Sequence, residues 1–176
     1  MNGMIAKMKN LLIICGFIVL NACTGYPENI KPVENFQLDN YLGTWYEVAR
    51  LDHSFERGLQ QVSATYSMRE DGGIKVINRG FNTDEEAWSE ATGKAYFVQD
   101  EKTAHLKVSF FGPFYGSYVI FYLDPDYQTA FVVGNDLSYL WLLSRTPTVN
   151  VAIKNQFLQL AAEKGFAVDE LIWVSH

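Results

Sequence analysis

Between residues 42 and 145, hydrophobic side chains recur with period two in eight short segments, at roughly 42–51, 60–69, 74–82, 88–98, 104–111, 117–124, 128–134 and 138–145. Alternation of this kind buries one face of an extended segment, so the pattern predicts eight β-strands. The breaks between them are chemically legible. Glu70-Asp71-Gly72-Gly73 supplies residues tolerant of positive φ for a tight hairpin, and Asp124-Pro125-Asp126-Tyr127 places Pro at the second position of a type I turn. Short regular turns leave no long crossover of the Greek-key kind, so the strands meander, and the arrangement that satisfies both ends of such a meander is a closed antiparallel up-and-down β-barrel rather than a sandwich. Aromatic residues make up 15% of the chain, which suits β-structure or a lined cavity better than a helical bundle. After residue 145 the period changes. Pro147 with Thr148 or Asn150 opens a helix in which Ile153, Phe157, Leu160 and Ala161 share one face, Gly165 stops it, and a last strand follows at 171–174. The fold class is thus all-β, with one C-terminal α-helix packed outside the barrel.

The first 22 residues read as a leader rather than as part of the fold. Lys7 and Lys9 precede an apolar run of ten, Leu11 to Leu20, too short to span a bilayer comfortably and of the length of a signal-peptide core. The run ends in Leu20-Asn21-Ala22-Cys23, which resembles the bacterial lipobox, although Asn21 stands where a small or β-branched residue is commoner. The resemblance implies cleavage before Cys23 and acylation of that residue; the alternative is an ordinary signal peptide with a chance cysteine. Thr24, rather than Asp, follows the cysteine, and by resemblance to the Gram-negative sorting pattern this implies the outer membrane. Several acyl chains on one residue, at about 0.8 kcal/mol per buried methylene, make a stable anchor. Cys15 and Cys23 are the two cysteines, so a chain cleaved there keeps one, at its N-terminus, and cannot form an internal disulfide. Residues 23–33, with Gly25, Pro27 and Pro32, read as lipidated terminus and tether, and 34–176 as one domain.

Charge excludes a class of partner. Cleavage removes two lysines and no acid, so fourteen basic residues become twelve against twenty acidic ones and the formal charge moves from −6 to −8. With no Lys/Arg run to neutralise phosphates, nucleic acid is not an expected partner.

Gly43-x-Trp45 on the first strand, Asp126-Tyr127 in the turn between the sixth and seventh, and Arg145 at the end of the eighth resemble the three signature blocks of the lipocalins, with Pro125 where Thr is usual. More narrowly, Tyr41-Leu42-Gly43-Thr44-Trp45-Tyr46-Glu47, Phe55-Glu56-Arg57-Gly58, Lys107 to Gly116 (KVSFFGPFYG) and Leu140 to Pro147 (LWLLSRTP) are similar to the bacterial outer-membrane lipoprotein lipocalins, relatives of apolipoprotein D. The resemblance implies a binding protein for a lysophospholipid or fatty acid, with no cofactor and no metal. On the residues themselves, Gly43 permits close chain approach, and Trp45 can plug one end of the barrel with Arg145 stacked on its ring, a pair worth about 0.5–2 kcal/mol. Strand parity then carries the rest. Trp45 inward sets Glu47 and Ala49 inward, and Arg145 inward sets Leu143, Trp141 and Tyr139 in the lumen. The same parity, aided by the resemblance, places Tyr66, Asn78, Leu106, Val108, Phe110, Ile120 and Tyr122 there. Such a lining suits an acyl chain with a polar head near the mouth; alternatively these residues close a solid core, and Glu47 pairs with a buried donor.

If Trp45 marks the closed end, loops around 52–59, 83–87, 112–116 and 135–137 form the mouth and carry Phe55, Phe114 and Tyr115. Those aromatics suit ligand entry, a membrane contact, a homodimer contact or packing within the loops. No G-x-S-x-G elbow, zinc-ligand spacing or phosphate loop occurs. His53 falls in a mouth loop beside Asp52, His105 has outward parity, and His176 is terminal, so catalysis is not expected. Two functions remain: a carrier of single-chain lipid at the envelope, and an envelope interaction protein whose barrel is only a scaffold.

Overall fold

A computed structural model describes residues 24–176; the leader and Cys23 lie outside the described residues. Eight strands form the wall: β1 (Gly43–Arg50), β2 (Leu59–Met68), β3 (Ile74–Asn82), β4 (Ala87–Phe97), β5 (His105–Ser109), β6 (Gly116–Leu123), β7 (Thr129–Val133) and β8 (Leu140–Ser144). Each pairs antiparallel with the next, β8 pairs with β1, and Gly43 to Tyr46 of β1 pair with Tyr66 to Ser63 of β2, which closes the barrel. A short helix, α1 (Leu38–Tyr41), leads into β1 and was not apparent from periodicity because it is only four residues long. Helix α2 (Val151–Glu163) starts at Asn150, whose side chain accepts a hydrogen bond from Ile153 N–H, and Gly165 at φ +86° follows its end. A 3-10 turn at Val168–Glu170 leads to β9 (Ile172–Trp173), which pairs with Arg50 and Ala49 where β1 has parted from β2. No helix among the described residues is long and apolar enough to cross a membrane.

Two apolar clusters share the wall. One fills the barrel: Trp45, Tyr66, Val76, Leu106, Ile120, Val132 and Leu143 all point into it. The other lies between the wall and α2, where Val119, Phe131, Val133, Leu140 and Leu142 meet Phe157, Ala161 and Phe166. Full burial of a side chain such as Phe157 contributes about 1.5–3 kcal/mol, which is what holds α2 against the outside of the sheet.

Among the described residues the strand register shifts at three places, between Gln60 and Ser63 of β2 and at two β-bulges in β1 and β6, and the latter two break the parity on which the sequence reading depends. Between Glu47 and Ala49 the β1–β8 register slips by one residue, so Glu47 pairs with Leu143 and Arg50 with Trp141, both pairs inward, while Val48 and Ala49 both join the helix-side cluster. Ala49 is therefore outside, not in the lumen. A second slip between Ile120 and Tyr122 does the same to β6: Tyr118, Ile120 and Leu123 face in, whereas Phe121 and Tyr122 face α2. Tyr122, expected in the lumen, stacks on Phe131 at 4.2 Å, and its hydroxyl donates to Gln156 of α2 at 3.4 Å.

Residues 24–33, the tether of the sequence reading, and residues 34–36 at the start of the domain lie against the wall. Ser117 Oγ donates to Thr24 C=O at 3.4 Å, Tyr26 packs edge-on to His105 at 4.9 Å, and Asn29 and Lys164 exchange two hydrogen bonds of 2.9 Å each. Ile30 is buried in the helix-side cluster, Val33 bonds to Ile120 and Ala104, and Phe36 tucks under the closed end beside Tyr41. The outward parity of His105 holds, and the ring is buried because this segment covers it.

Candidate functional site in the barrel lumen

At the closed end Trp45 is fully buried. Its indole N–H donates to Tyr41 C=O at 2.8 Å, and the Arg145 guanidinium lies 4.0 Å from its ring centroid. Arg145 is more than a stacking partner. It donates to the carbonyls of Thr44 (2.9 Å), Asn40 (2.8 Å), Leu42 (2.9 Å) and Tyr127 (3.2 Å), so one planar cation ties α1, the start of β1 and the β6–β7 turn together. Gly43 sits at φ +93°, a conformation that side chains resist, and a Cβ there would come within 3.4 Å of Arg145 Nη1.

Above this plug three tyrosines share their hydroxyls inside the barrel: Tyr118 is 2.7 Å from Tyr41 and 2.9 Å from Tyr66. Burial raises the pKa of all three phenols, so they act only as neutral donors and acceptors. Tyr66 was expected in the lumen; Tyr41 and Tyr118 were not singled out, although Tyr118 shares parity with Ile120.

The mouth half carries the charge. Arg50, 1% exposed, donates to Glu47 at 2.7 Å and to the carbonyls of Glu56 (2.9 Å) and Leu59 (3.2 Å). Trp141 Nε1 donates to Glu56 Oε2 at 3.1 Å. Glu47 and Glu56 are themselves within hydrogen-bonding contact, and burial together with the neighbouring Glu56 pushes the Glu47 carboxyl up to about 8; burial raises Glu56 as well. The pair thus shares a proton near neutral pH, with Arg50 compensating the remaining charge. The buried donor for Glu47 is Arg50, which parity alone would have turned outward; only the bulge brings it round. Asn78, opposite Ala64 and Ala91, faces the lumen, and its Oδ1 is buried without a hydrogen-bond partner.

Leu106, Val108, Phe110, Ile120, Trp141 and Leu143 belong to the barrel-filling cluster, as parity indicated. Tyr139 lies just before β8, at the rim, where its ring stacks on His53 at 4.4 Å; Phe55 covers the other face of that imidazole at 5.3 Å. Burial lowers the pKa of His53, and Asp52 turns away to bond Arg57 Nε at 3.0 Å. The wall is incomplete on one side. β4 pairs with β5 only through Lys94 to Phe97, so Ala87 to Gly93 have β3 as a neighbour and no strand on the other flank among the described residues. No group of three or more His, Cys, Asp or Glu able to hold a metal occurs among the described residues.

A small closed meander with an outer helix, a tryptophan–arginine plug at one end and a buried charged cluster in the other half of a side-chain-filled interior defines the class: a calyx-type barrel. The lipocalin-like domain family matches residues 36–176, and the chain belongs to that family. It is 58% identical over 168 residues to the outer membrane lipoprotein Blc of Vibrio cholerae, covering 95% of this chain and 98% of that one, and 54% identical over 164 residues to the protein of the same name from Citrobacter freundii, covering 92% of each. Insecticyanin from the tobacco hornworm shares the fold at a TM-score of 0.69 and 17% identity, over 86% of this chain and 87% of that one. The outer-membrane location expected from the lipobox is that of the close Gram-negative relatives, and the chain is an outer-membrane lipoprotein as they are.

Proposed function

We propose that the barrel carries a single-chain lipid at the outer membrane, with the acyl chain along Leu106, Val108, Ile120 and Leu143 and the polar head among Glu47, Arg50, Glu56, Trp141 and Asn78. The observation that carries this reading is the gradient of charge: the ionisable cluster of Glu47, Arg50 and Glu56 lies in the mouth half, whereas the polar atoms near the closed end are three neutral tyrosine hydroxyls bonded to one another. Burying about a dozen methylenes is worth roughly 10 kcal/mol gross, less the cost of association. A diacyl lipid gains nothing from the exchange, because the bilayer already buries both chains. Single-chain lipids partition into water and do gain.

The carboxyl pair supports a finer choice. With the proton shared and Arg50 present, the cluster of Glu47, Glu56 and Arg50 carries no net charge, so a fatty-acid carboxylate placed there would add one uncompensated negative charge, whereas a zwitterionic head adds none. A lysophospholipid with an amine head is therefore favoured over a free fatty acid. Titration of the delipidated protein with lysophosphatidylethanolamine should change tryptophan emission saturably, palmitate should bind more weakly at pH 8 than at pH 5, and Trp141→Ala should weaken binding by about 1–3 kcal/mol and remove most of the signal. No emission change and no calorimetric heat with either lipid would leave the scaffold reading in place.

A further inference from the structure

The N-terminal segment determines which end of the barrel meets the membrane. Thr24, one peptide bond from Cys23, lies against Ser117 and His105, and Ser117 is the second residue of β6, immediately after the 110–115 loop at the mouth. Ser117 N–H bonds to the Asn135 side chain, which belongs to the next mouth loop, and Asn29 is held at Lys164, where α2 ends beside Leu137 of that same loop. From there the chain runs down the wall to Phe36 at the closed end. The docked segment thus starts at the mouth. A strand of eight residues spans about 26 Å, or about 20 Å along a tilted barrel axis, so an anchor at Cys23 cannot reach a membrane at the closed end without undocking the segment.

The surface next to this point is built for a lipid interface. Residues 109–117 (SFFGPFYGS) carry no charge, and Phe111 and Phe114 are 81% and 73% exposed. Phe55, 60% exposed, stands on the opposite side of the same rim. Large apolar side chains left this exposed mark a contact surface, and the unpaired edge of β4 from Ala87 to Thr92 borders the same loop, whose Phe110 packs on Gly93. The acidic turn Asp84-Glu85-Glu86 is the unfavourable part of the rim, so the barrel should lean toward the 110–115 loop. We propose that the protein sits mouth-down on the bilayer that anchors it, with Phe111 and Phe114 in the interface and the mouth and the unpaired edge of β4 turned toward the lipid. This rests on the acyl anchor at Cys23, not on which lipid the lumen holds.

The test uses the acylated protein, whose Cys23 thiol is blocked, reconstituted in phosphatidylethanolamine–phosphatidylglycerol vesicles that contain a nitroxide-labelled phospholipid. A single environment-sensitive dye is placed on Phe114→Cys at the mouth or on Asp126→Cys in an exposed closed-end turn. Lipid-borne quenching at 114 should exceed that at 126 at least threefold, with a blue-shifted spectrum only at 114. If Phe114→Cys does not fold, Gly112→Cys replaces it, since an added side chain there meets nothing within 4 Å. Equal or reversed quenching overturns the orientation. So does self-quenching between labelled copies at 114 without lipid quenching, which would make the rim a homodimer face. Absence of acyl mass on Cys23 removes the basis of the proposal altogether. Lumen occupancy, read separately from Trp141 emission, does not enter the result.

Discussion

Replacing Arg50 by Met keeps most of the stem volume and deletes one buried cation, and the structure sets the size and pH dependence of the effect. The carbonyls of Glu56 and Leu59 lose a charged donor, at about 1–3 kcal/mol together. Glu47 loses its counter-charge at 2.7 Å, but burial and the neighbouring Glu56 already push its carboxyl up to about 8, so the loss is smaller than the roughly 3–5 kcal/mol of breaking a fully ionised buried pair. A net loss of about 2–4 kcal/mol follows at pH 7, which for a domain of this size lowers Tm by about 6–12 °C. The pH dependence has a definite sign. Glu47 has a folded pKa raised above its unfolded value of 4.5, so between those limits this group binds more protons in the native state than in the unfolded state, and its contribution to stability falls as pH rises, by at most about 1.4 kcal/mol per pH unit. Arg50 lowers both carboxyl pKa values; without it both rise further, and the fall becomes steeper and extends above pH 8. Urea unfolding at pH 4.5, 6, 7.5 and 9 should therefore show a deficit for Arg50→Met that widens with pH, while Glu47→Gln flattens the wild-type slope. A deficit of constant size across that range, or a variant as stable as wild type at pH 9, would refute the idea that the three groups form one titrating cluster.

Arg145→Ala should cost about 2–4 kcal/mol, since it removes the ring contact and four carbonyl bonds at once, and Arg145→Lys should restore less than half because an ammonium cannot reproduce the planar fork; thermal melts decide it. Tyr118→Phe leaves the Tyr41 and Tyr66 hydroxyls without their shared partner and should destabilise by about 1–3 kcal/mol with no pH dependence below 9, measured by urea unfolding. Cys23→Ser should move the protein from the outer-membrane pellet to the soluble periplasmic fraction, and retention in the pellet after a high-salt wash would count against the anchor.

The strand order, the closed end and the helix could be read from the sequence because each rests on a local signal. Period-two alternation and short Gly- and Pro-bearing turns define a meander, and the Asn150 cap with Gly165 bounds α2. Trp45 and Arg145 could be paired in advance because they stand at the two ends of strands that must meet when the meander closes. What parity could not supply was the sidedness beyond a bulge. The slips at Val48–Ala49 and Phe121–Tyr122 depend on how β1 fits β8 and how β6 fits β7, and no residue in either strand marks them on its own. They put Ala49 and Tyr122 outside and brought Arg50 inside, so the charged cluster of the lumen exists only in three dimensions. The same is true of residues 24–36. Their polar, Pro-containing sequence has no periodicity of its own, and their path is set by partners more than 70 residues away in the chain, at Ala104, Ser117, Ile120 and Lys164. Local chemistry determines which segments are strands; the closure of the sheet determines which of their side chains face each other and from which end the anchor leaves.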